Sequence, residues 1–516
     1  MSIIFGRRGS ANGPGGGGGG APAWWLSAVT GQVIAIAGGT GFGSTFQNGK
    51  RLTDVSLGYN PVNSSSGQQA IISSWSGACV NQAARHYIMN ANGGHGDYTG
   101  NEGYRIDLTA TVPSWLRWND STPNTHPGQT WGMLAEVAVH TVTCSGVGPY
   151  GPFAEYSLLN PTDYSAQDQT VQDNTLAVAS VTGSAGAIFL TLNHNPGTGH
   201  TLAFGGNGVV VNGGYIYEDG RCRAMHTQSY QTYADGQIWY AYENAFASGG
   251  GGSTAAVFAY NYSDPGVQSA LASGTPIPWT FDAGQWTNYG SMSGPVASDG
   301  SGAASFGCAC FDRMGHRVFA FGGLGFDRTI TYVWYVNTQG PSIGQGNSYI
   351  LGGGNPYADF KWAVCCYDLG IMVASDSSAN QRIIVFDLSN VGGAGWATAV
   401  TPTGAGYYGD VFGSYPAAGY FAANRSIGVG DPVNIGNTVY KLQVPAGSTY
   451  AALVAGTWSW SSTTYGGSSI TFDAAETKPL NKFNIIEDMG DGRAALIYCG
   501  GVNNPTYVLP VSAAGL

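Results

Sequence analysis

Apolar and polar residues alternate along this chain in short runs, and the runs return in a fixed order. One copy begins at Ala78-Cys79-Val80-Asn81, turns, and rises through His86-Tyr87-Ile88-Met89 to Gly93-Gly94. It then continues through Gly103-Tyr104-Arg105-Ile106-Asp107-Leu108 and ends at Trp115-Leu116-Arg117-Trp118. A second runs from Ala309-Cys310-Phe311-Asp312 through Arg317-Val318-Phe319-Ala320-Phe321 and Gly322-Gly323 to Thr331-Tyr332-Val333-Trp334. A third joins Cys365-Cys366-Tyr367-Asp368 to Ile371-Met372-Val373, Ile383-Ile384-Val385-Phe386 and Trp396. Period-two alternation rich in Val, Ile, Tyr, Phe and Trp, broken by Gly, Asn and Asp, predicts strands in antiparallel meanders.

Three looser copies complete the series. They start near Ser229 with a turn at Asp235-Gly236 and a late Trp279, near Ser414 with a late Trp458-Ser459-Trp460, and at Ile486-Glu487-Asp488 with Cys499-Gly500-Gly501. A repeat of this length whose sheet cannot cover its own two faces is the signature of a propeller, where neighbouring blades do the covering. Large Tyr and Trp rings suit the space between blades, since they bury the ring and keep a polar tip bonded. Gly-Gly after the second strand gives backbone freedom where the chain leaves the sheet.

The Gly-Gly pair followed by a spaced Tyr and then Trp resembles the kelch repeat of galactose-oxidase-like propellers, over roughly residues 72–516. The resemblance implies an all-β, kelch-like β-propeller of four-stranded blades, six in number or seven if residues 130–212 form a divergent blade. The alternative for that stretch is an inserted β element, with strands near Ala135–Val142, Leu176–Ser180 and Ala187–Leu192. The chain thus divides into a glycine-rich leader, 1–22, and a propeller, 23–516, in which residues 24–72 supply strands that close the ring. No long stretch has helical periodicity. The resemblance specifies fold rather than activity.

Composition narrows the function. Only 9% of the 516 residues are charged, 82 are glycine, and the net charge is −11. An acidic chain lacks the clustered Lys and Arg of a phosphate grip, so nucleic acid is excluded as a partner. No segment is apolar enough to cross a membrane as a helix, and the first residues lack the apolar core of a secretory signal. The eight cysteines read as reduced core residues. Cys79, Cys310 and Cys366 take matching places in first strands, and the neighbours Cys365-Cys366 point to opposite faces. No zinc spacing is present, and no metal or cofactor is expected.

Three groups of residues carry candidate chemistry. The loop Gly93 to Glu102 offers His95, Asp97, Tyr98 and Glu102 to a sugar hydroxyl, a proton or a cation; the plainer role for this loop is turn bonding and inter-blade ties. Arg221, Arg223 and His226 suit a carboxylate or acidic sugar, or else structural bonds between blades. In the leader, Ile3, Ile4 and Phe5 with Arg7 and Arg8 form a docking peptide on a glycine tether, or a plain tail. Sialidase boxes, a Gly-x-Ser-x-Gly elbow and paired carboxylates are absent, and a galactose-oxidase copper set cannot be placed. The chain therefore reads as non-enzymatic.

Together these features resemble a bacteriophage virion protein, specifically a tail hub (nozzle) or receptor-binding fibre component. That resemblance implies other tail proteins as partners, a homo-oligomer, host surface glycans as ligands, and residence in the virion. A carbohydrate-active enzyme (depolymerase or oxidase) and a lectin-like module are the competing readings.

Overall fold

A computed structural model describes residues 20–39, 47–56, 70–73, 77–92, 101–121, 130–137, 141–145, 178–184, 187–192, 201–205, 208–211, 231–243, 255–278, 283–292, 303–324, 330–353, 360–376, 381–408, 416–471 and 482–512. Six antiparallel blades of four main strands form the ring. Blade 1 is Cys79–Asn81, His86–Asn90, Gly103–Asp107 and Trp115–Arg117. Blade 2 is Gln231–Ala234, Gln237–Glu243, Ala255–Tyr260 and Trp286–Met292. Blade 3 is Ala303–Asp312, Arg317–Leu324, Ile330–Asn337 and Gly346–Gly353. Blade 4 is Ala363–Cys366, Ile371–Ser375, Ile383–Asp387 and Ala397–Val400. Blade 5 is Ala417–Phe421, Ser426–Gly430, Thr438–Gln443 and Ser459–Thr464. Blade 6 takes Phe483–Ile486, Arg493–Cys499 and Thr506–Ser512 from the end of the chain and Gln32–Ile36 from its beginning.

That last pairing closes the ring. Ile34 lies opposite Val508 and Ile36 opposite Thr506, antiparallel, so the edge of the third strand of blade 6 is covered rather than left as a template for aggregation. Trp24 and Trp25, just upstream, enter the core shared by blades 6 and 1.

Each pair of adjacent blades encloses one apolar cluster. Tyr87, Tyr104, Trp115, Ile486 and Ile497 fill the seam between blades 6 and 1. Ile88, Trp118, Tyr240 and Tyr260 fill the seam between 1 and 2, and Trp239, Val318 and Trp334 that between 2 and 3. Separate clusters occupy the remaining three seams. Several of the ring tips are bonded, as buried rings of this type usually are. Tyr87 Oη donates to Lys482 O (2.6 Å), Trp115 Nε1 to Thr506 Oγ1 (3.0 Å), Trp118 Nε1 to Tyr260 Oη (3.0 Å) and Trp460 Nε1 to Tyr408 Oη (2.9 Å).

The turn from first to second strand has a common form. Arg85, His316 and Arg425 stand just before the second strands of blades 1, 3 and 5 with φ of 57°, 51° and 53°, where blade 4 has Gly370 at 64°. A left-handed residue here costs a side-chain-bearing position roughly 1 kcal/mol, and each side chain finds a compensating bond. Arg85 Nε reaches Asp488 O, His316 Nδ1 meets Asp235, and Arg425 Nη2 donates to Pro445 O and Gly447 O.

Four expectations change in detail. The fourth strand of blade 2 begins at Trp286, because a helix, Pro265–Ser273, intervenes; Asp264 caps it and Gly274 ends it with φ 72°. Trp279 lies outside the described residues. In blade 3, Gly322-Gly323 stay paired within the second strand, opposite Tyr332 and Thr331. In blade 6 the pair does leave the sheet, and Gly500 is required by closeness: a Cβ there would sit 2.1 Å from Thr471 O. Finally, hairpin register equates Cys79 with Cys310, whereas Cys366 falls on the position of Asn81 and Asp312, one pleat further on. The strands between Thr130 and Val211 form a separate six-stranded sheet, with Thr130–Val137 and Thr141–Ser145 in place of one strand at Ala135–Val142.

Candidate functional site

The first strands of the six blades stand side by side around the axis, in the order 1 to 6 and back to 1. They enclose a cavity of about 140 Å³. Gln231, Thr232, Tyr233 and Asn484 give it polar walls, with Val80, Phe311 and Tyr420 supplying apolar and aromatic surface. At one end lie the residues that immediately follow the first strands. In a ring of six, blades 3 and 6 face each other across the axis, and their two residues at this position are Arg313 and Glu487.

These two meet. Arg313 Nη1 donates to Glu487 Oε2 (3.2 Å) and Nη2 to Oε1 (3.0 Å), the two-pronged geometry that a planar guanidinium favours. Tyr367 of blade 4 lies beneath the guanidinium, 4.7 Å from ring centre to Cζ, and its hydroxyl lies 3.4 Å from Glu487 Oε2. Gln82 of blade 1 completes the group, accepting from Glu487 N (2.9 Å) and donating to Ile485 O (2.7 Å). Tyr420 of blade 5 stacks edge-on against Tyr367, its buried hydroxyl beside the Asp368 carboxylate but outside hydrogen-bond geometry with it.

Electrostatically the pair is under tension. Burial pushes Glu487 above the ordinary carboxylate range, with Asp368 adding to the shift; the charge of Arg313 and the bonds from Arg313 and Tyr367 only partly offset it. Burial and the neighbouring Glu487 push the Tyr367 phenol up to about 12. The side chains of Arg313 and Glu487 nonetheless stay 36% and 22% exposed, so solutes reach them from the mouth.

The cysteines near the axis are packing groups. Cys79, Cys308, Cys310, Cys365, Cys366 and Cys499 are buried free thiols. Cys310 and Cys365 meet across the seam of blades 3 and 4 at 3.5 Å, while Cys366 faces blade 5. Burial raises the thiols of Cys79, Cys308, Cys310, Cys365 and Cys366, holding them protonated and unreactive.

A second polar centre ties blades 1 and 2. Arg105 Nη1 lies 2.7 Å from His86 Nε2, and Arg105 Nη2 donates to Leu271 O (2.9 Å). A guanidinium only donates, so His86 Nε2 accepts, and Nδ1 carries the proton toward Tyr262 Oη (2.8 Å). Burial, helped by Arg105, lowers the His86 pKa and keeps the ring neutral. Asp107 is held well below its usual range: burial opposes the shift, while the Thr109 hydroxyl and backbone N–H, donating to Oδ1 at 2.6 and 2.8 Å, favour the ionised form.

Of the residues singled out in sequence, Glu102 is the one within the described residues. It is 2% exposed and accepts from the Tyr104 hydroxyl at 2.9 Å, so it faces its own blade rather than solvent. His95, Asp97, Tyr98, Arg221, Arg223, His226, Ile3, Ile4, Phe5, Arg7 and Arg8 lie outside the described residues. The sequence reading missed Arg313 and Glu487. In a chain with so few charges, two opposite ones set directly after first strands three blades apart was the available signal.

No known protein family matches the chain, and no curated protein is similar to it; the kelch resemblance of the repeat has no family match behind it. Among solved structures, the chain is similar to one in a crystal structure of the mitotic checkpoint complex. That match has 8% identity and a TM-score of 0.34, over 86% of this chain and 90% of the other. YjhT is 7% identical with a TM-score of 0.27, over 76% and 98%. TolB from Acinetobacter baumannii is 12% identical with a TM-score of 0.24, over 70% and 65%. Likenesses of this size assign no activity or partner. A six-bladed propeller is a scaffold suited to binding or interaction.

Proposed function

We propose that the protein is a structural and interaction component of a bacteriophage virion. In this reading it belongs to the tail, as a hub (nozzle) or receptor-binding fibre, whose propeller contacts tail neighbours or host surface glycans. It acts without catalysis, as one copy in a homo-oligomer. The observation that carries this reading is where the leader is rooted. Trp25 Nε1 donates to Asp491 Oδ1 (3.0 Å), the Arg493 guanidinium lies 4.9 Å over the Trp25 ring and donates to Trp25 O, and Ala21 N approaches Gly490. The root is therefore clamped to the turn between the first two strands of blade 6, on the face that carries the Arg313–Glu487 mouth. Leu26 and Val29 beside the root and Met314 in the equivalent turn of blade 3 are 60%, 57% and 73% exposed. They offer apolar contacts to a neighbour on that same face. A root fixed to one face of the ring suits a protein anchored to a particle from that face.

The test is incorporation. Virions assembled with a chain lacking residues 1–19 should carry little of the protein, although the shortened chain folds, since the clamp begins after that point. Undiminished incorporation of a folded, shortened chain overturns the anchor and with it this reading.

A further inference from the structure

We propose that the axial mouth is a binding site for an acidic monosaccharide, whose carboxylate takes the Arg313 fork that Glu487 occupies in the unliganded ring. This deepens the glycan half of the proposed function and rests on it, though not on the virion assignment.

Four observations converge. The Arg313 guanidinium presents a planar fork already oriented by stacking on Tyr367, and such a fork matches any carboxylate as well as it matches Glu487. The pair is partly open to solvent, so exchange needs no opening of the ring. Behind it lies a cavity of about 140 Å³, some ten times the ~10–15 Å³ that one water needs, which gives room for a sugar ring. Its lining joins aromatic faces, Tyr233, Tyr367 and Tyr420, to amide groups, Gln82, Gln231 and Asn484, the mixture that covers sugar C–H faces and bonds hydroxyls. Gln231, 1% exposed, is held in the wall by bonds from its amide nitrogen to Asn90 O (2.6 Å) and Tyr240 Oη (3.2 Å).

Glu487 is then an internal competitor. The groups facing it are Arg313 from blade 3, Tyr367 and Asp368 from blade 4, and the neutral Gln82 from blade 1. Tyr367 stays neutral throughout the working range, so the competition is between two carboxylates for one cation. Burial makes Glu487 the easier of the two to protonate, while a hexuronic acid in water remains ionised. Lowering the pH therefore removes the competitor before it removes the ligand.

Isothermal titration of the purified full chain with glucuronate tests this, with glucose and acetate as controls. Glucuronate should bind more tightly as pH falls from 8 toward 5. Glu487→Gln should bind at least roughly tenfold more tightly at pH 8, a like charge having been removed, and should lose the pH trend. Arg313→Gln should lose binding, and Arg313→Lys, which keeps the charge without the fork, should recover part of it. Thermal melting checks that each variant is folded, and the gain in Glu487→Gln does not depend on a loss. Absence of glucuronate binding in both the wild type and Glu487→Gln overturns the site. Equal binding of glucuronate by Arg313→Gln also overturns it, while leaving glycan binding elsewhere on the ring intact. Acetate binding as tightly as glucuronate overturns the sugar assignment.

Discussion

Replacing Gly103 with alanine tests the seam between blades 1 and 2 at its tightest point. A Cβ on residue 103 would lie 1.9 Å from Cζ2 and 2.2 Å from Cε2 of Trp118, against the ~3.5–4.0 Å of an ordinary carbon contact. The indole cannot yield freely. Trp118 is fully buried, donates to Tyr260 Oη at 3.0 Å, stands edge-on to Tyr262 at 5.3 Å, and bonds Gly103 O through its own backbone N–H at 3.1 Å. Overpacking costs about 1–3 kcal/mol, loss of a buried hydrogen bond about 1 kcal/mol, and a broken aromatic pair about 0.5–1.5 kcal/mol. Gly103→Ala should therefore destabilise the ring by about 3–5 kcal/mol and, since a chain of this length unfolds with an entropy of roughly 1 kcal/mol/K, lower the melting temperature by about 3–5 °C. Gly284→Ala is the control, since nothing lies within 4 Å of its added Cβ, and its effect should stay within about 0.5 kcal/mol. Melting and urea unfolding followed by circular dichroism give the readout. If the lost hydrogen bond is part of the cost, Tyr260→Phe will be milder in the Gly103→Ala background than in the wild type. A Gly103→Ala chain that melts within about 1 °C of the Gly284→Ala chain refutes the packing argument.

Deleting residues 1–39 removes the strand that covers Thr506–Ser512 together with Trp24 and Trp25; size-exclusion chromatography should show aggregate, whereas a chain lacking only 1–19 should elute and melt as the full chain does. The six buried cysteines, Cys79, Cys308, Cys310, Cys365, Cys366 and Cys499, should resist a thiol reagent in the native ring, so labelling should give at most the two remaining thiols per chain, rising to eight on unfolding. Because the folded His86 pKa is lowered, the unfolded chain takes up a proton below about pH 6.5 that the folded chain refuses, so this residue withdraws stability as pH falls, by up to about 1.4 kcal/mol per unit. In His86→Gln that decline between pH 6.5 and 5 should vanish from urea midpoints, whatever the variant costs at pH 8. Glu487 has the opposite sign: its raised folded pKa withdraws stability as pH rises through it, and Glu487→Gln should flatten the fall in that window.

Much of the ring was legible because its seams repeat. Tyr104 and Trp334 stand in the third strands of their blades and Trp115 and Trp460 in the fourth, since every seam needs a large ring to fill it. What escaped was local. The helix Pro265–Ser273 carries its own signals, Asp264 as cap, Pro265 after it and Gly274 at its end. At nine residues its apolar stripe of Val267, Ala270 and Leu271 is too short to stand out from strand alternation. Cysteine register was misjudged by one pleat in blade 4 because a small residue fits either position. The Gly-Gly pairs read alike in sequence yet differ in cause: one continues a strand, and the other lets Thr471 O approach.

The axial pair shows why the site was less legible than the fold. A repeat records what each blade shares with the next, because the seams join neighbours. The axis joins blades that are not neighbours, and what matters there is departure from the repeat. The residues directly after the first strands are Gln82, Asp235, Arg313, Tyr367, Ala422 and Glu487, six different side chains at one structural position. Asp235 turns outward to His316, and Ala422 contributes only a methyl group. Of the other four, Arg313 and Tyr367 meet the Glu487 carboxylate and Gln82 bonds the Glu487 backbone N–H. An even number of blades makes this arrangement available, since each blade then has a partner directly across the axis and a single long side chain from each side can span the mouth. In a ring of seven the same two residues would face a seam rather than each other. The chemistry of the mouth thus depends on blade count as much as on residue type, and no single repeat contains that information.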